Sequence, residues 1–364
     1  MAASTLSLRP LGTGELIDRA VRLYRRHFLT FIGIVAIVQI PLTLAQAGFS
    51  ILTIQGAAGP GDAAQAAVIA GSVGSAILTI LGFVLVSSLG TAALTLAIAN
   101  SYLGQPVSLA GSYRQIGKSW LVLALALLLI LLLSFLFTLW WLVPCIGWFT
   151  GLGMLLFVSL VISPLAAPVV VLEQQRAKAA VRRAWDLSRR RFWPVVGFVS
   201  VLFVLSMIFT VTPNLLVGFL MNLGIVPLPG DFVTQQIVST AISSLTTLLF
   251  SLIFLPFQLT AMTLLYFDLR IRTEGFDLAL LAHSMGQPDE QEQQPAAELE
   301  VSSEPAVPAY VSESMIEAPP PEREDLITGR ELGYFMILTL TLGAVYFLLV
   351  FGVGFLAMAT TGGM

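Results

Sequence analysis

Cysteine is almost missing from this chain. Cys145 stands alone in 364 residues, so no disulfide closes within one chain and no Cys-based zinc or iron–sulfur set can assemble. Histidine is nearly as scarce: His27 and His283 each lie beside an apolar stretch, where an interfacial ring accounts for them better than a metal ligand does. Charged residues make up only 11%, against about 25% in ordinary soluble domains. The chain also lacks a Gly-Lys-Ser/Thr phosphate loop, a G-x-S-x-G elbow and an H-E-x-x-H helix, and its glycine-rich patch Gly56–Gly61 has no lysine. No catalytic, cofactor-binding or metal-ligating set is therefore nominated, and no cofactor is expected. Nucleic acid is not expected as a partner either, because each basic cluster abuts an apolar stretch.

What fills the chain is apolar: 57% of it is hydrophobic, which places it among membrane proteins. A bilayer core of about 30 Å takes roughly twenty apolar helical residues. Seven stretches meet that length, at about 28–48, 76–100, 119–143, 147–172, 193–221, 238–266 and 334–358. Pro144-Cys145-Ile146-Gly147 reads as a tight turn between the third and the fourth. Ala63–Ser75, rich in Ala, Gly and Ser, is expected to extend beyond the hydrocarbon, and Pro256 is a candidate kink in the sixth span. The first apolar stretch starts only after Arg25, Arg26 and His27 and has no small-residue cleavage site, so it reads as a retained span.

Basic residues orient these spans, because short loops rich in Lys and Arg stay in the cytoplasm. With the N-terminus inside, all eighteen Lys and Arg fall on the cytoplasmic side, and the loops near 49–75, 144–146 and 222–237 carry none. Trp120 and Trp193 open spans at the inner boundary, and Trp140, Trp141 and Trp148 flank the outer turn, as an aromatic belt does. The expectation is seven spans, N-terminus cytoplasmic and C-terminus outside.

The charge is also segregated. From Asp289 to Glu331 twelve acidic residues face two arginines, whereas the rest of the chain carries sixteen basic and nine acidic residues. Residues 284–330, dominated by Pro, Glu, Gln, Ser and Ala, are expected to be a disordered acidic cytoplasmic linker and a possible docking arm for a protein partner, or an arm that folds onto the basic helices. Residues 331–364 then supply a separate C-terminal transmembrane helix.

An internal repeat runs through the basic segments. Arg19–Gly33 aligns without gaps on Arg183–Gly197 through the pattern R-A-x-x-L-x-R-R-x-F-x-x-x-x-G, and Ser112–Trp120 is a weaker third copy. Each copy precedes an apolar hairpin. The fold expected is all-α: a polytopic bundle of three parallel hairpin repeats (about 9–105, 106–173 and 174–283), each led by a basic amphipathic helix, plus the C-terminal span. In the first copy Leu16, Ala20, Leu23 and Phe28 recur at helical spacing, with Thr13 as N-cap and Glu15 suited to the first turn; Ser108 suits a cap for the middle helix. Basic interfacial helices bring Arg to lipid phosphates, so Arg19, Arg22, Arg26, Arg183, Arg190, Asp268, Arg270 and Arg272 are the candidate headgroup or inner-face contacts. The plainer reading is that these arginines set topology and that Asp268, Arg270, Arg272, Glu274 and Asp277 pair with the basic helices in a structural network.

No Asp, Glu, Lys, Arg or His lies inside any of the seven cores, which argues against ion-coupled transport. Gln39, Asn214 and Gln258 are the candidates for an intramembrane polar groove; hydrogen bonding between neighbouring helices is the alternative.

Leu8–Arg26, Glu173–Arg189 and Tyr266–Leu278 resemble the opening, middle and closing segments of the glycerophosphoryl diester phosphodiesterase membrane-domain family. The likeness covers roughly residues 8–283 and implies residence in a bacterial cytoplasmic membrane. In some members this domain is fused to a catalytic phosphodiesterase barrel of roughly 250 residues. This chain has no such segment, so the resemblance implies the membrane part without the activity. Two expectations follow: a non-enzymatic membrane module that organises lipids or partner proteins, or a passive transporter or lipid-translocating protein with a polar groove between repeats. Nothing in the sequence sets an oligomeric state.

Overall fold

The computed structural model describes residues 11–59, 61–82, 84, 87–223, 230–276, 278 and 328–344. Helices account for nearly all of them, in the order α1 Thr13–Arg26, α2 Phe28–Ala57, α3 Asp62–Leu81, α4 Ser87–Tyr102, α5 Leu109–Gln115, α6 Ser119–Trp140 and α7 Ile146–Phe157. After these come α8 Ser163–Leu172, α9 Ala177–Arg189, α10 Phe192–Ser206, α11 Thr212–Asn222 and α12 Phe232–Glu274. A final helix, α13, covers 329–344.

Among the described residues six helical segments are long and apolar enough to cross a membrane: Phe28–Ala57, Ala64–Leu81, Ser119–Trp140, Ile146–Leu172, Phe192–Met221 and Phe232–Glu274. The main departure from the expected spans is in the second. Helix begins at Asp62, not near 76, so the segment expected to leave the hydrocarbon is α3. Small residues let it lie close along α2 in antiparallel register, with Gly71 facing Thr53, Gly74 facing Phe49 and Gly82 facing Leu42. The seventh stretch, expected at 334–358, is helical over its described part, 334–344, in a helix that already begins at 329 within the expected linker; residues 345–358, residues 284–327 of that linker and Asp277 lie outside the described residues.

Prolines explain two local irregularities. One π-helical turn, Val158–Ile162, precedes Ser163-Pro164, and another, Met207–Val211, precedes Thr212-Pro213. Proline has no N–H to give and its ring crowds the preceding turn; widening that turn accommodates both effects. Pro41 and Pro256, by contrast, sit inside uninterrupted helices, so Pro256 does not divide α12. At the turn after α6, a Cβ on Gly147 would strike the Trp140 carbonyl, so the hairpin closes only with glycine there. Trp140 Nε1 then donates to Thr150 Oγ1 at 3.1 Å across the turn.

The core is concentrated at one end. Every residue from Leu259 to Ile271 of α12 and from Leu165 to Glu173 at the end of α8 is buried, as expected of helices surrounded on all sides. Most of α4 is equally buried. Towards the other end large apolar side chains face outward instead, among them Leu52, Ile77, Phe135, Leu215 and Leu245. Water would expel such a surface, and hydrocarbon would not.

Candidate functional site

The well-packed end is also where the chain's charges meet. α8 ends, α9 runs across, and the last turns of α12 arrive beside both. Glu173, the C-cap of α8, has its carboxylate wholly enclosed. It accepts from Arg183 Nε at 3.1 Å and from the Tyr266 hydroxyl at 2.8 Å. Arg183 also reaches Glu274 through its Nη2. Arg270 closes the ring with its Nε on Glu274 Oε2 at 3.0 Å and an Nη1 donation to Tyr266 at 3.2 Å, and its guanidinium lies 4.6 Å over the Phe276 ring. Two arginines and two glutamates cancel in charge. A buried group of this kind is tolerated only because each charge is paired and hydrogen-bonded.

A second clasp joins the start of α1 to α12. Leu11 N–H donates to Asp268 Oδ1 at 2.8 Å, Arg272 Nε to Asp268 Oδ2 at 2.8 Å, and Arg272 Nη2 to the Leu11 carbonyl at 2.6 Å. A cavity of about 210 Å³ lies beside this clasp, between the start of α1, α10 and α12. The expected capping of α1 shifts by one residue: Gly12 is the N-cap, and its N–H donates to Glu15 Oε2 at 3.1 Å. Ser108 caps α5 as expected, accepting from Gly111 N–H at 3.1 Å.

Burial divides the candidate arginines. Arg183 and Arg270 lie inside, occupied by carboxylates; a lipid phosphate has no access to them, and the headgroup reading does not hold for these two. Asp268 is likewise committed to Leu11 and Arg272. Arg22 and Arg26 are exposed on α1, as is Arg25, while Leu16, Ala20 and Tyr24 on the opposite face are buried. Arg19 stands between, donating to the Tyr102 hydroxyl at 3.3 Å with its guanidinium 5.5 Å from that ring. Tyr24 donates to the Ile253 carbonyl at 2.8 Å, and burial pushes its phenol up to about 12. Burial, followed by the Arg26 charge, lowers His27 from its ordinary 6.5.

Arg190 is exposed on the rim of a larger cavity, about 510 Å³, where α9 turns into α10 and α13 begins. Arg189, Arg190, Arg191, Arg330, Trp193 and Tyr334 line it, with Glu331 as the one carboxylate. Arg189 bonds Asp186 at 2.8 Å and approaches Glu331 at 3.8 Å. Burial pushes the Asp186 carboxyl up despite that arginine. α13 is held here by aromatic contacts, Tyr334 stacking on Phe192 at 4.9 Å and Phe335 on Trp185 at 5.9 Å. Deeper along the same helices lies a narrow groove of about 130 Å³ between α10, α13 and the end of α7, lined by Leu156, Val196, Val199, Phe203, Leu338 and Leu342.

Of the polar-groove residues, Asn214 lies apart from Gln258. Gln39 borders a small cavity with Ser87, Thr91, Leu255 and Leu259. Asn214 instead donates to the Thr210 carbonyl at 2.9 Å and accepts from Thr247 at 3.3 Å, linking α11 to α12. Thr247 and Gln258 lie about 16 Å apart along the α12 axis, at 1.5 Å per residue.

Glu173 and Tyr266 were not among the expected contacts, although they sit at the centre of the ion network. The available signal was weak: Glu173 and Asp186 are the two acids in a connection that also carries seven basic residues. An acid kept in so basic a segment commonly has a partner. Among the described residues no three His, Cys, Asp or Glu gather as metal ligands would.

Fold and surface together define an all-helical membrane protein whose basic residues, among those described, gather at one end of the bundle. No family model, curated protein or solved structure matches the chain.

Proposed function

We propose that this protein is a non-enzymatic membrane module that gathers anionic lipids, or partner proteins, at the inner face of a bacterial cytoplasmic membrane. The observation that carries this reading is the way α1 is presented. Its apolar face is buried on the bundle while Arg22, Arg25 and Arg26 point outward at the level where α2 enters the apolar zone. Guanidinium groups in that position attract phosphate headgroups at about 1 kcal/mol each. In this reading the chain crosses the membrane seven times with its N-terminus inside, and its hairpins are three parallel copies of one unit. Its likeness to the glycerophosphoryl diester phosphodiesterase membrane-domain family then marks kinship in the membrane part alone.

The test is reconstitution into mixed vesicles with spin-labelled phosphatidylglycerol or phosphatidylcholine, measuring the immobilised boundary fraction. The protein should hold phosphatidylglycerol preferentially, and replacing Arg22, Arg25 and Arg26 together by Gln should remove most of that preference. Equal fractions for both lipids, before and after substitution, would rule the reading out. Accelerated flip-flop of fluorescent phospholipid that is lost with Gln39→Leu or Gln258→Leu would favour passive translocation instead.

A further inference from the structure

The arginine-lined cavity and the apolar groove lie in succession along the same two helices, α10 and α13. The cavity is rimmed by Phe192, Trp193 and Tyr334; the groove takes over one turn further along each helix, at Val196 on α10 and Leu338 on α13. The stripe from Phe192 to Phe203 rises through eleven residue steps, or about 16 Å at 1.5 Å per residue, which is close to half of a hydrocarbon core of about 30 Å. A cationic chamber and an apolar slot thus follow one another, with the Phe192–Tyr334 stack between them, over about the depth of one leaflet. We infer that α10 and α13 form a binding site for one anionic phospholipid, with its phosphate among the arginines and an acyl chain in the slot. This rests on the reading that the chain is a lipid-organising membrane protein, and it adds a defined site with a defined stoichiometry.

Charge selects the ligand class. Among the described residues four guanidinium groups line the chamber, against Glu331 in the lining and Asp186 behind Arg189, which leaves it positive. Arg189 is largely spent on Asp186 and Glu331, so the site leans on Arg191 and Arg330. Arg330 gives its Nε to the Tyr334 hydroxyl and lies 5.4 Å over that ring, which fixes its plane while its terminal N–H groups remain available as donors. Planar donors of this kind match a phosphodiester, whose two free oxygens carry one negative charge. Trp193 and Tyr334, each with a polar atom on a large ring, suit the headgroup level. The groove is apolar apart from Ser200, so a free phosphate would use only the upper half of the site.

The test uses the full chain, purified and delipidated in mild detergent, then titrated with brominated-chain phosphatidylglycerol while tryptophan emission is read. Quenching should saturate at one lipid per chain, and Trp193→Phe should remove the saturable part. Brominated phosphatidylcholine, neutral overall, should bind at least tenfold more weakly. Replacing Arg191 and Arg330 together by Gln should weaken phosphatidylglycerol by about tenfold or more, as the loss of two charge-assisted contacts predicts. Leu338→Trp, which fills the slot and leaves every arginine in place, should abolish saturation as well. Equal affinity for both lipids, or an Arg191/Arg330 variant that binds like the parent, overturns the site; so does displacement by millimolar inorganic phosphate. If the Arg191/Arg330 variant behaves like the parent while the Arg22/Arg25/Arg26 variant loses its boundary preference, the site fails and the broader reading stands. If neither variant changes anything, both fail.

Discussion

The aligned segments Arg19–Gly33 and Arg183–Gly197 share one pattern and meet different fates. Each begins as an amphipathic helix and breaks at the same aligned residue, His27 in the first and Arg191 in the second, with similar backbone angles (φ −120°, ψ 28° and φ −130°, ψ 49°). A membrane helix then starts at the shared Phe, Phe28 or Phe192. Ala20 and Ala184 are both fully buried, so the apolar contact is also common. The first arginine differs. Arg19 has a phenol to bond, whereas Arg183 has two carboxylates and is enclosed. Where the first copy has Arg22 exposed, the second has Asp186 buried and bonded to Arg189. The pattern therefore governs where a helix breaks and which face packs. What an arginine does is governed by the acid that another helix brings to it.

The largest expected effect tests that difference directly. Arg183→Gln leaves Glu173 and Glu274 to share the single charge of Arg270 in a buried site and should cost about 3–5 kcal/mol, as loss of one partner from a buried ion pair does. Arg19→Gln loses one hydrogen bond to Tyr102 and should cost about 1 kcal/mol. Reversible unfolding in mixed micelles measures both, and equal costs would mean that the two copies are held in the same way after all.

A smaller effect concerns the helix that only the second copy has beside it. Gly153 on α7 donates its N–H to Thr339 Oγ1 at 2.9 Å, and a Cβ there would strike the Phe335 carbonyl. Gly153→Val should push α13 away at about 1–3 kcal/mol, the usual range for overpacking. Cysteine cross-linking between α7 and α13 should drop in step, whereas the contacts of α1 should not change. Cross-linking that persists unaltered would show that α13 is not seated on Gly153.

The smallest effect is read in the first copy. Selective labelling of the two histidines should place the His27 titration below 6.5, and Arg26→Gln should raise it by removing the nearby charge. Because the native ring resists protonation, stability should fall slightly as the pH drops through 6.5 towards the native value, and not change above it. A His27 titration that ignores Arg26 would mean the two side chains point apart.

Much of the helix layout was legible because periodicity and apolar length are local properties. The turn at Pro144–Gly147, the Ser108 cap and the third, fourth and fifth expected spans fall where composition put them, within a few residues, while the helices of the first and sixth run six to nine residues past their expected bounds. The second hairpin arm was misjudged because Ala, Gly and Ser look weakly apolar in isolation; their small size lets α3 lie against α2, and only the partner helix reveals that. The Thr13 cap failed for a similar reason. Glu15 reaches back to the Gly12 N–H, and either residue looks suitable from the local pattern alone.

Composition and the placement of arginines determined, without coordinates, that this is a helical membrane protein with one basic end. Those properties depend on how many apolar residues run together and on where charge is tolerated. Only the tertiary structure decided which arginines are spent and which are presented. Glu173, Arg183, Tyr266, Arg270 and Glu274 span about a hundred residues of chain. Their pairing depends on the ends of α8 and α12 meeting the middle of α9 at hydrogen-bond distance, and sequence spacing does not encode that distance.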